Sequence, residues 1–431
     1  MTRSPRALLA ATALAGLLAT APALAITPVP AAPTAEAVVE TYADIAHAMY
    51  ADSLAAARDL RGAVDALLEN PSDETLAAAR EAWRAARVPY QQTEGLRFGN
   101  AVVDDWEGKV NAWPLDEGLI DYVASDSYGE ESDENPLYTA NVVANETIRV
   151  GRETIDASTI DAALLQALHE ADGVEANVST GYHAIEFLLW GQDLNGTDAG
   201  AGARPASDFA LGEGCTSANC ERRRDYLVAA TDLLVSDLEE MVAAWEDGGA
   251  ARADIAGKGA EGGLATILTG LGSLSYGELA GERMKLGLLL HDPEEEHDCF
   301  SDNTHNSHYY NQVGMQALYG GRYERTDGSI VEGPGLADYA QAQAPEAAQA
   351  VSAAMEEAHA RLAVMKQRAD DGIEAYDQML ALGNTEGNAV LQAGVEGLVS
   401  QARALETLVA DLGLTITVEG SDSLDDPTLV Q

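Results

Sequence analysis

The chain has 431 residues, 46% of them hydrophobic and 22% charged, enough to bury a large core and to divide into about two or three domains. Its 25 basic side chains against 71 acidic ones leave a net charge of -46. That charge repels a phosphate backbone or an anionic lipid surface, which excludes nucleic acid as a partner. It is equally the charge of a strongly hydrated surface, so acidity alone does not define a metal protein.

In chain order, Arg3 and Arg6 precede an apolar run from Ala7 to Ala21, and Ala23-Leu24-Ala25 supplies a small-apolar-small cleavage pattern. Residues 1–25 therefore read as a secretory signal, and the mature protein is expected in the periplasm. No later stretch is apolar for long enough to span a membrane. The segment from 26 to 205 reads as a first helical bundle. Val38, Ile45, Met49, Leu60, Val64 and Leu67 recur every three or four residues, Asn70-Pro71 ends that helix, and a second begins near Asp73 and meets Pro89. Helical patterns follow over 136–151, 159–171 and 176–191. A Gly, Ala, Asp and Ser-rich connector from about Gly191 to Asn219 leads to a second bundle over 206–413, with helices near 220–247, 261–291, 303–319, 345–371 and 386–412. Asp327-Gly328 between Tyr323 and Val331 predicts one small hairpin. The acidic tail 414–431 reads as poorly ordered. The fold expected is all-α, two packed helical bundles in a monomer.

Three cysteines in an oxidising compartment allow one disulfide, and Cys215 with Cys220 is the local choice, leaving Cys299 free.

Four groups could carry chemistry. His183 and Glu186 stand one helical turn apart, so both side chains leave the same face and can share a cation. Around Pro89 lie Trp83, Arg84, Arg87, Tyr90, Glu94 and Arg97, where the kink can turn Glu94 inward and the arginines can pair with acids or hold an anion. Trp113, Pro114, Asp116 and Glu117 read as the first turn of a helix, its acids near the positive end. In the second half, Glu278 and Glu282 share a helical face, and Glu294 to His308 packs acids and three histidines into one stretch, among them Glu296, His297, Asp302 and His305. Zincin, nucleophile-elbow, phosphate-loop and haem motifs are all missing from the sequence.

Gly181, His183 and Glu186 match the Gly-x-His-x-x-Glu motif of the imelysin family. Trp113, Pro114, Asp116, Glu117, Ile120, Asp121 and Tyr122 resemble a second segment of that family. Gly281 to Met284, followed by Glu296 to His305, resembles its iron-regulated protein A branch. The resemblance implies two packed bundles, an envelope location and a site at their interface, and it leaves open a metallopeptidase or a protein accompanying iron uptake. Only His183 and Glu186 are visibly paired by spacing, whereas a zinc peptidase needs three ligands, an open position and a base. The reading is therefore a non-enzymatic, periplasmic metal-binding protein linked to iron, with a metallopeptidase and a binding module for an anionic or saccharide ligand as alternatives. The expected ligands are His183, Glu186, Glu94 and Glu282, with Asp116, Glu296, His297, Asp302 and His305 as secondary candidates. The ion is a divalent or ferric metal, iron before zinc, and the partner to receive it an envelope iron-transport component.

Overall fold

The computed structural model describes residues 1–2, 32–428 and 430. Apart from its first two residues, the expected signal lies outside the described residues. The first long helix, α1 (Ala35–Glu69), starts where Thr34 accepts the Ala37 N–H at 3.3 Å, and it buries Val38, Ile45, Met49, Leu60, Val64 and Leu67 on one stripe. Ser72 and Thr75 form a capping box that opens α2 (Asp73–Gln91). Then come α3 (Ala101–Asn111), the short α4 (Ser125–Tyr128), a hairpin of β1 (Thr147–Val150) and β2 (Glu153–Asp156), α5 (Ala162–Leu168) and α6 (Gly181–Trp190). The second half holds α7 (Cys220–Trp245), α8 (Ala250–Gly257), α9 (Gly259–Ser273), a π-helical segment Leu274–Lys285, α10 (Leu286–Leu290) and α11 (Thr304–Gly320). A second hairpin, β3 (Arg322–Glu324) with β4 (Ile330–Glu332), precedes α12 (Leu336–Gln343), α13 (Pro345–Asp370), α14 (Tyr376–Leu380), α15 (Thr385–Asp411) and α16 (Asp422–Asp425).

The fold is all-α. α1 lies against α2, α7 and α9, while α15 packs on α13 and the π segment, and α11 joins the two groups by touching both α2 and α13. Among the described residues no helix is long and apolar enough to cross a membrane. Cys215 and Cys220 are joined as the sequence suggests, and Cys299 is free.

Three local expectations change. The helix predicted over 136–151 is replaced by turns and β1, because Asn135 and Asn141 accept the Leu137 and Ala144 N–H groups, each at 2.9 Å, and so compete for the donors a helix needs. Pro114 does not open a helix: its bond to Trp113 is cis, and only a 3-10 turn, Glu117–Leu119, follows. The segment after α15, expected to be loose, lies along the π segment as far as α16. There the Glu419 N–H donates to Ser273 Oγ at 3.1 Å and Ser423 Oγ donates to the Gly281 carbonyl at 3.0 Å.

Candidate functional site

The site is built around α6. Gly181 adopts φ +79°, and a Cβ there would strike the Val110 carbonyl, so glycine alone lets the start of α6 sit against the end of α3. One turn on, His183 and Glu186 are fully buried. His183 Nδ1 lies 3.0 Å from Glu186 Oε2, and the other carboxyl oxygen accepts the Ser301 N–H at 3.0 Å and its hydroxyl at 2.6 Å. Both Glu186 oxygens are thus engaged. His183 Nε2, sealed from solvent, has no hydrogen-bond partner.

The loop before α11 supplies what faces it. The His297 ring stands edge-on to His183 with centroids 4.8 Å apart, and one donor atom each from His183, His297 and Asp298 lies within 4.8 Å of the others. Asp298 is held by α2 and α11: Arg87 Nη2 donates to its Oδ1 at 2.8 Å, and Asn303 Nδ2 donates to Oδ2 at 2.8 Å, with the Ser307 hydroxyl on the same oxygen. Arg87 also reaches His297 Nδ1 at 3.2 Å and Asn111 at 2.6 Å. Its guanidinium lies over the Trp83, Tyr90 and Tyr182 rings.

Burial, reinforced by Arg87, lowers the His183 pKa to about 3, and burial with Arg283 pushes His297 well below the ordinary range. Both imidazoles are therefore neutral, the form that binds metals. Burial opposes the charge on Asp298, but Arg87 and His297 outweigh it and hold the carboxyl well below its usual range. Burial, then Asp298, pushes Glu186 well up.

The other expected residues are distributed elsewhere. Glu94 is buried as expected, but Arg283 donates to it at 2.7 Å and Asn111 at 3.3 Å, in a network with Glu107 and Glu278. Burial and then Glu94 raise Glu107 to about 7. Glu282 is only half-buried and lies near Glu295 rather than His183. Asp116 accepts from Asn135 and lines an open cleft of about 640 Å³ with Trp113, Glu117, Asp193 and Glu294. Glu296 and Asp302 belong to a separate carboxylate group, and His305 Nε2 faces Asp370 at 3.6 Å. Asp298, Ser301 and Asn111 were missed. Asp298 stood inside the histidine-rich run, but the spacing of that run does not tell which of its acids turns inward.

The molecule is thus an all-α protein with a buried imidazole and carboxylate centre beside two buried arginines. The family model for imelysin matches residues 46–405, and the chain belongs to the imelysin family. It is 37% identical over 67 residues to Iron-regulated protein A of Synechococcus elongatus; the match spans 16% of this chain and 19% of that relative's length. A crystal structure from Parabacteroides distasonis, assigned by inference as an iron-regulated protein A precursor, superposes with a TM-score of 0.62 at 17% identity, covering 89% of this chain and 96% of the other. An imelysin-like protein from Psychrobacter arcticum gives 0.57 at 17% identity, covering 89% and 97%. At these identities the likeness is one of fold.

Proposed function

We propose that this is an exported metal-binding protein serving iron acquisition in the periplasm, with His183, His297 and Asp298 holding the ion. The observation that carries the reading is the sealed, unpartnered Nε2 of His183 beside a second neutral imidazole and an ionised carboxylate. A buried polar atom without a partner is costly, and a cation is the ligand this donor set suits. Two imidazoles with one carboxylate favour ferrous iron among the common ions. Glu186 then acts as a positioning residue. An ion at Nε2 displaces the proton that burial holds on Glu186, and the resulting carboxylate accepts from His183 Nδ1–H, Ser301 N–H and Ser301 Oγ while Nε2 gives the ion its lone pair. Because both its oxygens are engaged, Glu186 is poorly placed as the base of a peptidase, and the binding reading is preferred. The relatives bearing the name iron-regulated protein A point the same way, and the leader pattern at residues 1–25 supports export to the periplasm, where an envelope transport component would take the ion on.

The test is anaerobic calorimetry with ferrous iron, and in parallel with zinc, on chelator-treated protein. One iron per chain is expected, lost in His183→Ala and in His297→Ala with the helical spectrum unchanged. Unaltered binding in both variants would overturn the assignment, and metal-dependent peptide cleavage lost in His183→Ala would make the protein a peptidase.

A further inference from the structure

A second group of carboxylates, unused by that site, gathers around the same loop. Glu296, 1% exposed, lines a small hollow of about 10 Å³ together with Asp193, Glu294 and Cys299, and its Oε2 is sealed from solvent without a partner. Asp377, at the start of α14 and also 1% exposed, has neither carboxyl oxygen hydrogen-bonded, and Asp302 Oδ1 is likewise unpartnered. Burial and then Asp377 and Asp193 raise the Asp302 pKa to about 7, while Asp377 is raised to about 6 by burial with Asp193 among the repelling charges. Three chain segments therefore converge: Asp193 from the loop after α6 and Glu296 from the loop before α11 line the one hollow, Asp377 of α14 raises Asp302 on that second loop, and Asp193 raises both. Among the described residues none of these four, nor Glu294, enters a salt bridge; Arg84, the cation that acts on Asp302, is 37% exposed and turned toward Glu81 and the Ser301 carbonyl.

Unpaired buried carboxylates repel each other and lose hydration, and either protons or a cation must answer them. The neighbouring imidazole site already contains Arg87 and Arg283. This one contains no positive charge, and its donors facing the hollow are oxygens apart from one thiol. The oxygens do not stand close enough for one ion to touch three of them, and the hollow shares Asp193, Glu294 and Cys299 with the open cleft of about 640 Å³, so water from the cleft completes the shell, as it does around hard cations. The irregular arrangement suits an ion with flexible coordination better than one that demands an octahedron.

We infer that Glu296, Asp377, Asp302 and Asp193 form a second cation site that takes a hydrated hard divalent ion of the calcium class, distinct from the imidazole centre. Its tether is the loop carrying Glu296, His297 and Asp298, so filling it orders the segment that presents His297 and Asp298 to His183.

Chelator-treated, desalted full-length protein is titrated with calcium alone, by calorimetry and by thermal melting. One saturable site and a raised melting temperature are expected. The double change Glu296→Gln with Asp377→Asn should remove both, whereas His183→Ala and the exposed control Asp126→Asn should keep both. If the double variant does not fold, Asp193→Asn on the loop after α6 should weaken binding at least about tenfold. The inference is overturned by calcium uptake that is unsaturable, or that survives both sets of changes, or by zinc displacing calcium stoichiometrically. It is also overturned if the double variant melts higher than the parent in chelator and the parent gains nothing from calcium, because protons alone would then answer the carboxylates. Loss of iron binding in His183→Ala with calcium retained separates the two sites.

Discussion

Arg87 decides how the imidazole centre balances its charges. Its guanidinium is 1% exposed, donates to Asp298 at 2.8 Å, and leaves the buried carboxylate unpaired if removed. Breaking such a pair typically destabilises by about 3–5 kcal/mol. An ion bound at Asp298 would supply the missing positive charge. Arg87→Gln is therefore expected to lower the melting temperature of chelated protein sharply, and added ferrous iron should restore more of it in the variant than in the parent. Equal shifts in both, measured by thermal melting with and without iron, would mean that Asp298 does not meet the metal. Glu186→Gln tests the orienting role separately. The amide fills the same space but no longer holds the Nδ1 proton as a carboxylate does, so iron binding should weaken about 10–100-fold without loss of helicity, and calorimetry that finds no weakening would reject it. His183 and Glu186 were legible because one helical turn is enough to pair them. His297 and Asp298 lie more than a hundred residues away, and no spacing rule connects them to α6.

At the scale of elements, the π segment explains why Glu282 was misplaced. On an α-helix, residues four apart share a face, which would set Glu278 beside Glu282. In a π-helix, where hydrogen bonds run from i to i+5, the residue five along takes that place. Arg283 does so: its Nε donates to Glu278 at 2.9 Å and its Nη2 to Glu94 at 2.7 Å, while Glu282 rotates away. Burial works against the charge on Arg283, but Glu278 and Glu94 outweigh it and raise the pKa. The wide turns also expose carbonyls that find partners from outside the segment, Gly281 from Ser423 and Arg283 from the Tyr376 hydroxyl at 3.3 Å. No local pattern in Leu274–Lys285 marks this widening, whereas the stripes of α1 and α15 and the Asp327-Gly328 turn announce themselves by period and turn chemistry. The glycine of the motif is a different case, visible in sequence but explained only by packing. Gly181→Ala meets both a left-handed backbone and the Val110 carbonyl, so a loss of stability well above about 1 kcal/mol is expected in urea unfolding. A smaller loss would show that α6 and α3 can part without penalty.

For the molecule as a whole, the net charge of -46 and the buried acids act in the same direction. Burial is the leading cause that raises Glu117 to about 8, Glu107 and Asp302 to about 7, and Glu294, Asp237 and Asp377 to about 6. In the unfolded chain such groups titrate near 4, so between these values the folded state binds the extra protons. The stability these groups contribute is complete below about pH 4 and is lost as pH rises through about 6 to 8. Buried histidines oppose it: His183 and His308 are lowered to about 3 and His305 to about 4, chiefly by burial, and their contribution fades as pH falls below about 6.5. The carboxyl groups act alone above that point. Chelated protein should therefore melt at a higher temperature at about pH 6.5 than at about pH 8.5, with a shallower gain on further acidification where the histidines push back. Bound cations reverse the trend, because Glu186 behind the imidazole centre and the carboxyls of the second site must give up protons to admit them. The increment in melting temperature from added iron or calcium should be largest at high pH and shrink as the pH falls. Melting curves across this range with and without each ion check both signs at once, and a chelated protein that steadily loses stability from about pH 8.5 to about pH 6.5 would mean that the buried carboxyls are not the groups that set its pH response.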